Sequence, residues 1–164
     1  MLLSIENLTV RYGADTALSI DSPIQIEEGD RVGVIGSNGA GKTTLLKAIL
    51  GLVPYQGVIR TELRPEEMAV HMQFNEYTDA MPVRHIMEAV LGTRIARDRK
   101  LQELIAFFEF GDCLRKKYSK LSGGQKQRFT IIMVMMQEAA LTFYDEVTSG
   151  LDFETRQRLV EKLV

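Results

Sequence analysis

Hydrophobic positions along the chain recur at two intervals, and the places where one gives way to the other mark its elements. Leu2 to Val10 alternates apolar and polar residues, the period of a half-buried strand. Ile24, Ile26 and Glu27 lead into a Glu28-Gly29-Asp30 turn. The β-branched run Arg31-Val32-Gly33-Val34-Ile35 that follows predicts a buried parallel strand. From Thr44 to Leu50 the interval becomes helical, with Leu45, Leu46, Ile49 and Leu50 on one face. Gly51 then stops the helix, and Pro54 follows. Pro54 to Gly57 is a second turn, and Val58 to Thr61 a short strand. Residues from about 75 to 138 are mainly helical. Val83, Ile86, Met87, Val90 and Leu91 make one apolar face, and Leu101, Leu104, Ile105 and Phe108 another. Ala139 to Tyr144 returns to a strand, and Phe153 to Val164 predicts a helix with Leu159, Val160, Leu163 and Val164 along one side. There is no internal repeat or low-complexity segment.

Two glycine-rich segments sit at predicted helix starts. Gly36-Ser37-Asn38-Gly39-Ala40-Gly41-Lys42-Thr43 fits G-x-x-x-x-G-K-[ST], the P-loop or Walker A pattern. Backbone N–H groups can wrap an anion only where no side chain blocks the approach, and glycine allows both that approach and positive φ. The following helix adds free N–H groups and the positive end of its dipole. Lys42 would reach the β- and γ-phosphates of a nucleotide, and the Thr43 hydroxyl would be a Mg²⁺ ligand. The bare pattern arises by chance in roughly 0.5% of chains this long, and the predicted strand and helix around it lower that further. The second segment is Leu121-Ser122-Gly123-Gly124-Gln125. Ser122 with Gln125 fits a capping box for a helix running toward Glu138. Glycine is a poor helix former, so two in the first turn favour close approach by a ligand over a simple helix start.

In motif content and order the chain resembles the ABC-family ATPases, the nucleotide-binding subunits of ABC transporters, nearly from end to end. The resemblance implies an α/β fold: a P-loop NTPase (RecA-like) core with a small antiparallel β subdomain and an inserted helical subdomain. Residues 1–164 would be one ABC ATPase domain, with the helical subdomain at 75–138. Leu121 to Gln125 looks like the family signature, which contacts the γ-phosphate held by the partner subunit's P-loop. That implies a head-to-tail dimer, homo- or heteromeric, with ATP sandwiched between chains. On this resemblance the ATP-binding residues are Tyr12, Gly36, Ser37, Asn38, Gly39, Ala40, Gly41, Lys42, Thr43, Thr44, Ser122, Gly123, Gly124 and Gln125. Tyr12 resembles the aromatic that stacks on adenine. Gln73, after Met68 to Met72, resembles the Q-loop glutamine that senses Mg²⁺ and the attacking water. Ser149-Gly150-Leu151-Asp152 resembles the D-loop.

Asp145-Glu146, at the end of the predicted strand Ala139 to Tyr144, looks like Walker B. An acidic residue at the carboxyl end of a central strand lies beside the phosphates in such sheets. Asp145 would hold Mg²⁺ through water, with Thr43 and Gln73 as further metal contacts. Glu146 would be the general base, and Glu146, Gln73 and Lys42 form the catalytic set. Two departures from the family pattern stand out: Thr142 within a usually aliphatic strand, and Val147 where proline usually follows the glutamate.

A chain of 164 residues can form a sizeable core. A net charge of −2 leaves no broad basic field, so no nucleic-acid partner is expected. The lone Cys113 cannot form an internal disulfide, and His71 and His85 lack metal-ligand spacing. The apolar run Phe129 to Met136 is far too short to cross a bilayer, so a transport role requires an integral membrane subunit, with this chain cytoplasmic at the inner face of the membrane. The eight methionines, several of them at Met133, Met135 and Met136, are adaptable core filler. The pattern stops mid-helix at Val164, before the family's switch histidine and last strand, which implies a truncated chain. Two alternatives remain beside the transporter ATPase: a soluble ABC-type ATPase acting on DNA or ribosomes, and an ATP-binding fragment with little turnover. The stretch between Lys42 and Ser122 holds no sustained heptads, which disfavours the coiled-coil DNA relatives.

Overall fold

The computed structural model describes residues 1–71, 81–146 and 151–163. The chain forms two compact units: residues 1–68 with 139–143, and residues 69–138 with 144–164.

The first unit is built on strand β1 (Leu3–Tyr12), which pairs antiparallel with β2 (Asp15–Ile20), β3 (Ile24–Ile26) and β4 (Gln56–Arg60). Strict alternation would put Leu3 and Ile5 on one face and Leu8 and Val10 on the other. All four are nonetheless buried in one core. Asn7 resolves this: it adopts a positive φ of 49°, and the β1–β4 register shifts between Glu6 and Thr9. This bulge resets the phase of the strand. Gly57 of β4 lies opposite at φ 105°, where a Cβ would overlap the Asn7 carbonyl. Helix α1 (Lys42–Ile49) covers this core with Leu45 and Ala48. Eight residues are too few for a stable isolated helix, so burial of this apolar face holds α1 in place.

The run Arg31 to Ile35, predicted as a buried parallel strand, departs from expectation. It is irregular backbone, with Val32, Val34 and Ile35 exposed by 57%, 56% and 98%. β-branched residues favour a strand only where a neighbour supplies the ladder and the packing face. Among the described residues no strand is hydrogen-bonded to this run. The Glu28-Gly29 turn before it does form, closed by the Glu27 amide donating to the Asp30 carboxylate at 2.8 Å.

The second unit is mainly helical. It contains α2 (Val83–Leu91), α3 (Arg99–Phe107), α4 (Gly123–Met135) and α5 (Phe153–Leu163). β5 (Met68–His71) pairs with β6 (Leu141–Tyr144), and in each strand the chain passes from one unit to the other. Helix α4 is the centre: Phe129 to Val134 are buried without a break, as in a helix covered on all sides. Val83, Ile86 and Met87 of α2 and Leu101, Leu104 and Ile105 of α3 pack in the same core. Phe129 makes edge contact with Tyr118, ring centroids 5.5 Å apart. Cys113 is buried and unpaired, and burial pushes its thiol pKa up. Helix α5 corrects the expected apolar stripe. Leu159 is fully buried in this core, whereas Val160 is 47% exposed; the side chains of Leu163 and Val164 lie outside the described residues. Neighbouring positions on a helix point about 100° apart; Leu159 faces this core, and Val160, one step round, falls outside the buried stripe.

Candidate functional site

The predicted phosphate-binding segment lies on the first unit. Gly41 is the N-cap of α1, with φ 93° in the left-handed region. A Cβ there would stand 2.7 Å from the Ala17 carbonyl oxygen and 3.1 Å from Leu18 Cδ1. The loop therefore lies flat against β2 and enters the helix in a conformation only glycine adopts without strain. Before it, the Ala40 amide donates to the Ser37 carbonyl at 3.1 Å, closing the turn through Asn38 and Gly39. No side chain caps α1, and its first turn, with Thr43 and Thr44, holds no acidic residue. The positive end of the helix is thus left without a side-chain counter-charge. The Lys42 ammonium donates to the carbonyls of Gly36 at 2.7 Å and Ser37 at 2.9 Å, which holds it across the loop. An ammonium has three donors, so two are spent positioning it. Tyr12, at the end of β1 opposite Asp15, is half exposed.

The other predicted residues lie on the second unit. Ser122 caps α4 by a complete capping box: the Gln125 amide donates to Ser122 Oγ at 3.2 Å, and the Ser122 amide to Gln125 Oε1 at 3.0 Å. Gly123 has no neighbour within 4 Å of where a Cβ would sit, and its φ is not positive. Asp145 and Glu146 follow β6 directly. The Asp145 amide donates to the His71 carbonyl at 3.0 Å, and His71 Nδ1 faces the Asp145 carbonyl at 3.3 Å. Glu146 is exposed and adopts φ 49°, a left-handed conformation that costs a non-glycine residue energy and collects at functional sites. Its carbonyl accepts from Gln127 Nε2 of α4 at 3.4 Å. Asp152 caps α5, accepting from the Thr155 amide at 2.9 Å and the Thr155 hydroxyl at 2.8 Å. Arg128 of α4 pairs with the same carboxylate at 2.7 Å. These donors, the Thr155 amide first, hold the Asp152 pKa down at about 2. Gln73, Val147, Ser149 and Gly150 lie outside the described residues.

Three residues escaped the sequence reading: His71 and Gln127, beside Asp145 and Glu146, and Arg128, beside Asp152. His71 is completely buried, and its Nε2 has no hydrogen-bond partner among the described residues. Burial lowers its pKa. The signal for it was a lone polar residue in the otherwise apolar stretch Met68 to Met72. Gln127 and Arg128 carried none, since polar residues early in a helix are ordinary.

Residues 21–149 match the family described as "ABC transporter". The chain is 35% identical over 153 residues to the zinc import ATP-binding protein ZnuC of Jannaschia sp. (strain CCS1), covering 92% of this chain and 61% of that protein. It is 32% identical over 178 residues to the manganese transport system ATP-binding protein MntB of Listeria innocua serovar 6a, covering 99% of this chain and 73% of that one. Among solved structures, the ATP binding subunit of an ABC transporter superposes with a TM-score of 0.81 at 25% identity, over 99% of this chain and 73% of that chain. The chain therefore spans less than two thirds of the zinc protein's length.

Proposed function

The chain belongs to the ABC transporter family of ATP-binding proteins, and from that premise we propose that it binds ATP at Gly36 to Thr44 and hydrolyses it to drive transport. The observation that carries this reading is the start of α1. Its N-cap, Gly41, supplies no side-chain cap, the loop before it is stripped of side chains at Gly36, Gly39 and Gly41, and an ammonium is held across the loop. That arrangement suits a chain of phosphates.

In this reading the loop amides and Lys42 bind the β- and γ-phosphates, and Tyr12 offers its exposed ring to the adenine. Thr43 and Asp145 are oxygen donors of the kind Mg²⁺ takes. Among the described residues no cluster of three acidic, imidazole or thiol side chains could hold a metal alone, which suits an ion bound jointly with phosphate oxygens. Bound there, Mg²⁺ neutralises charge on the phosphates. Glu146 accepts the proton of the attacking water, and Gln73 senses Mg²⁺ and that water. Ser122, Gly123, Gly124 and Gln125 meet the γ-phosphate held by a second ATPase subunit. The open space around Gly123 supports this, since nothing within the described residues requires glycine there.

Among the described residues no helix is long and apolar enough to cross a membrane. The proposed partners are accordingly a second ATPase subunit and an integral membrane subunit, with this chain at the cytoplasmic face. The zinc-import and manganese-transport relatives make a divalent-metal transporter the favoured system. The test is a pair of variants. Lys42→Ala should abolish binding of a fluorescent ATP analogue. Glu146→Gln should retain binding while phosphate release falls on the order of 10²–10⁴-fold. Unchanged affinity in the first, or wild-type turnover in the second, removes the corresponding role.

A further inference from the structure

Glu146 holds a left-handed backbone conformation although glycine and asparagine are the residues that adopt it readily. Two torsions set the direction of its Cα–Cβ bond. The first is fixed by the peptide group before it, whose oxygen is the Asp145 carbonyl. The second is fixed by the peptide group after it, whose oxygen is the Glu146 carbonyl. Each oxygen has its own side-chain donor, and the donors come from different elements. His71, at the end of β5, has Nδ1 3.3 Å from the Asp145 oxygen. Gln127, on the second turn of α4, has Nε2 3.4 Å from the Glu146 oxygen. A carbonyl can only accept, so the first contact selects the Nδ1–H tautomer of His71. The His71 carbonyl takes the Asp145 amide in return at 3.0 Å, so the two residues are tied twice. His71 is completely buried, and its ring lies beside Tyr144, centroids 6.3 Å apart, which restricts it to that position. The hydrogen bonds are long, but each acts on a torsion rather than on overall stability. A small rotation at either peptide swings the Glu146 carboxylate, at the end of its side chain, by a larger distance.

We propose that His71 and Gln127 are positioning residues that lock the two peptide groups flanking Glu146 and so aim its carboxylate at the attacking water. The inference rests on Glu146 acting as the general base. It assigns chemistry to a histidine outside the family motifs and gives α4 a second task. The helix that starts with the signature serine also holds the residue that is to accept the proton, so the serine's helix and the base are in register.

The experiment compares steady-state phosphate release by the wild type, His71→Leu, His71→Asn, Gln127→Leu and the His71→Leu/Gln127→Leu double variant. Backbone coupling constants at Glu146 report the sign of its φ independently of turnover. His71→Leu and Gln127→Leu should each lower kcat about tenfold while KM for ATP stays within about twofold, because positioning acts on the chemical step. His71→Asn keeps an N–H donor near the Nδ1 position and should recover most of the loss; a purely space-filling role would not give that recovery. In the double variant the Glu146 couplings should leave the left-handed values. A kcat near wild type in His71→Leu, no recovery in His71→Asn, or unchanged Glu146 couplings in the double variant would overturn the proposal. Failure of the underlying reading is separate: Glu146→Gln would then turn over normally.

Discussion

Two helices in this molecule begin at glycine-rich segments, and they begin in opposite ways. At α1 the glycine is demanded from within. Gly41 sits at φ 93° with its backbone pressed on Ala17, and no side chain caps the helix. At α4 the glycine is not demanded by anything in its surroundings. Gly123 has ordinary backbone torsions and open space, and Ser122 with Gln125 supplies a full capping box. One start has a glycine for its N-cap and no acidic residue in its first turn; the other closes its own capping box and keeps the space around its first glycine open. The first suits an anion enclosed by the chain that holds it. In the proposed dimer the second would meet a phosphate presented from outside, on another subunit.

Three experiments would break or sharpen this contrast. The largest effect is expected from Gly41→Ala. A left-handed alanine costs about 1–2 kcal/mol, and overlap with the Ala17 carbonyl adds to it. Denaturant unfolding should show at least that loss, and affinity for a fluorescent ATP analogue should fall about tenfold or more. Wild-type values in both would mean the loop can re-form without glycine. Gly123→Ala should behave differently. Its stability should stay level or rise by up to about 1 kcal/mol, since alanine is the better helix former, while turnover falls about tenfold, the outcome expected where the proposed dimer brings a phosphate against Gly123. A destabilised Gly123→Ala variant would erase the distinction.

The smallest effect concerns a third helix start, α5, capped by Asp152. Its carboxyl pKa is held at about 2, below the ordinary 3.8, by Thr155 and then Arg128. A depressed pKa means the cap contributes above about pH 4 and is lost as pH falls through about 2. Backbone chemical shifts over residues 153–163 should move toward coil in that window. They should not do so in Asp152→Asn, whose amide caps at every pH. Identical acid profiles for the two would remove the cap from the account.

Caps and helical periodicity were legible in the sequence because both are local. Ser122 and Gln125 announced α4, and Val83, Ile86 and Met87 announced the inner face of α2. The run Arg31 to Ile35 misled for the complementary reason. Its β-branched residues advertise the ability to form a strand, but a strand exists only with a neighbour, which no local pattern supplies. The site divides the same way. The glycine and acidic motifs are contiguous and stood out. His71 reaches Asp145 across 74 positions, and such a contact leaves no trace in spacing. The Leu3, Ile5, Leu8, Val10 series is intermediate: its skipped beat at Asn7 is visible in the sequence, though its meaning as a bulge is not.

That skipped beat bears on how the chain tolerates random change. Asn7 and Gly57 are both exposed, and exposed positions are ordinarily where substitutions accumulate harmlessly. Here the two share a seam with no spare room: Gly57 at φ 105° lies against the Asn7 carbonyl, and Asn7 itself has positive φ. In a saturation library Gly57 should reject every side chain as sharply as a core position does, and Asn7 should accept little beyond glycine and aspartate. Accessibility would then mispredict the mutational landscape of the first unit at the two residues that let Leu3, Ile5, Leu8 and Val10 of β1 share one core.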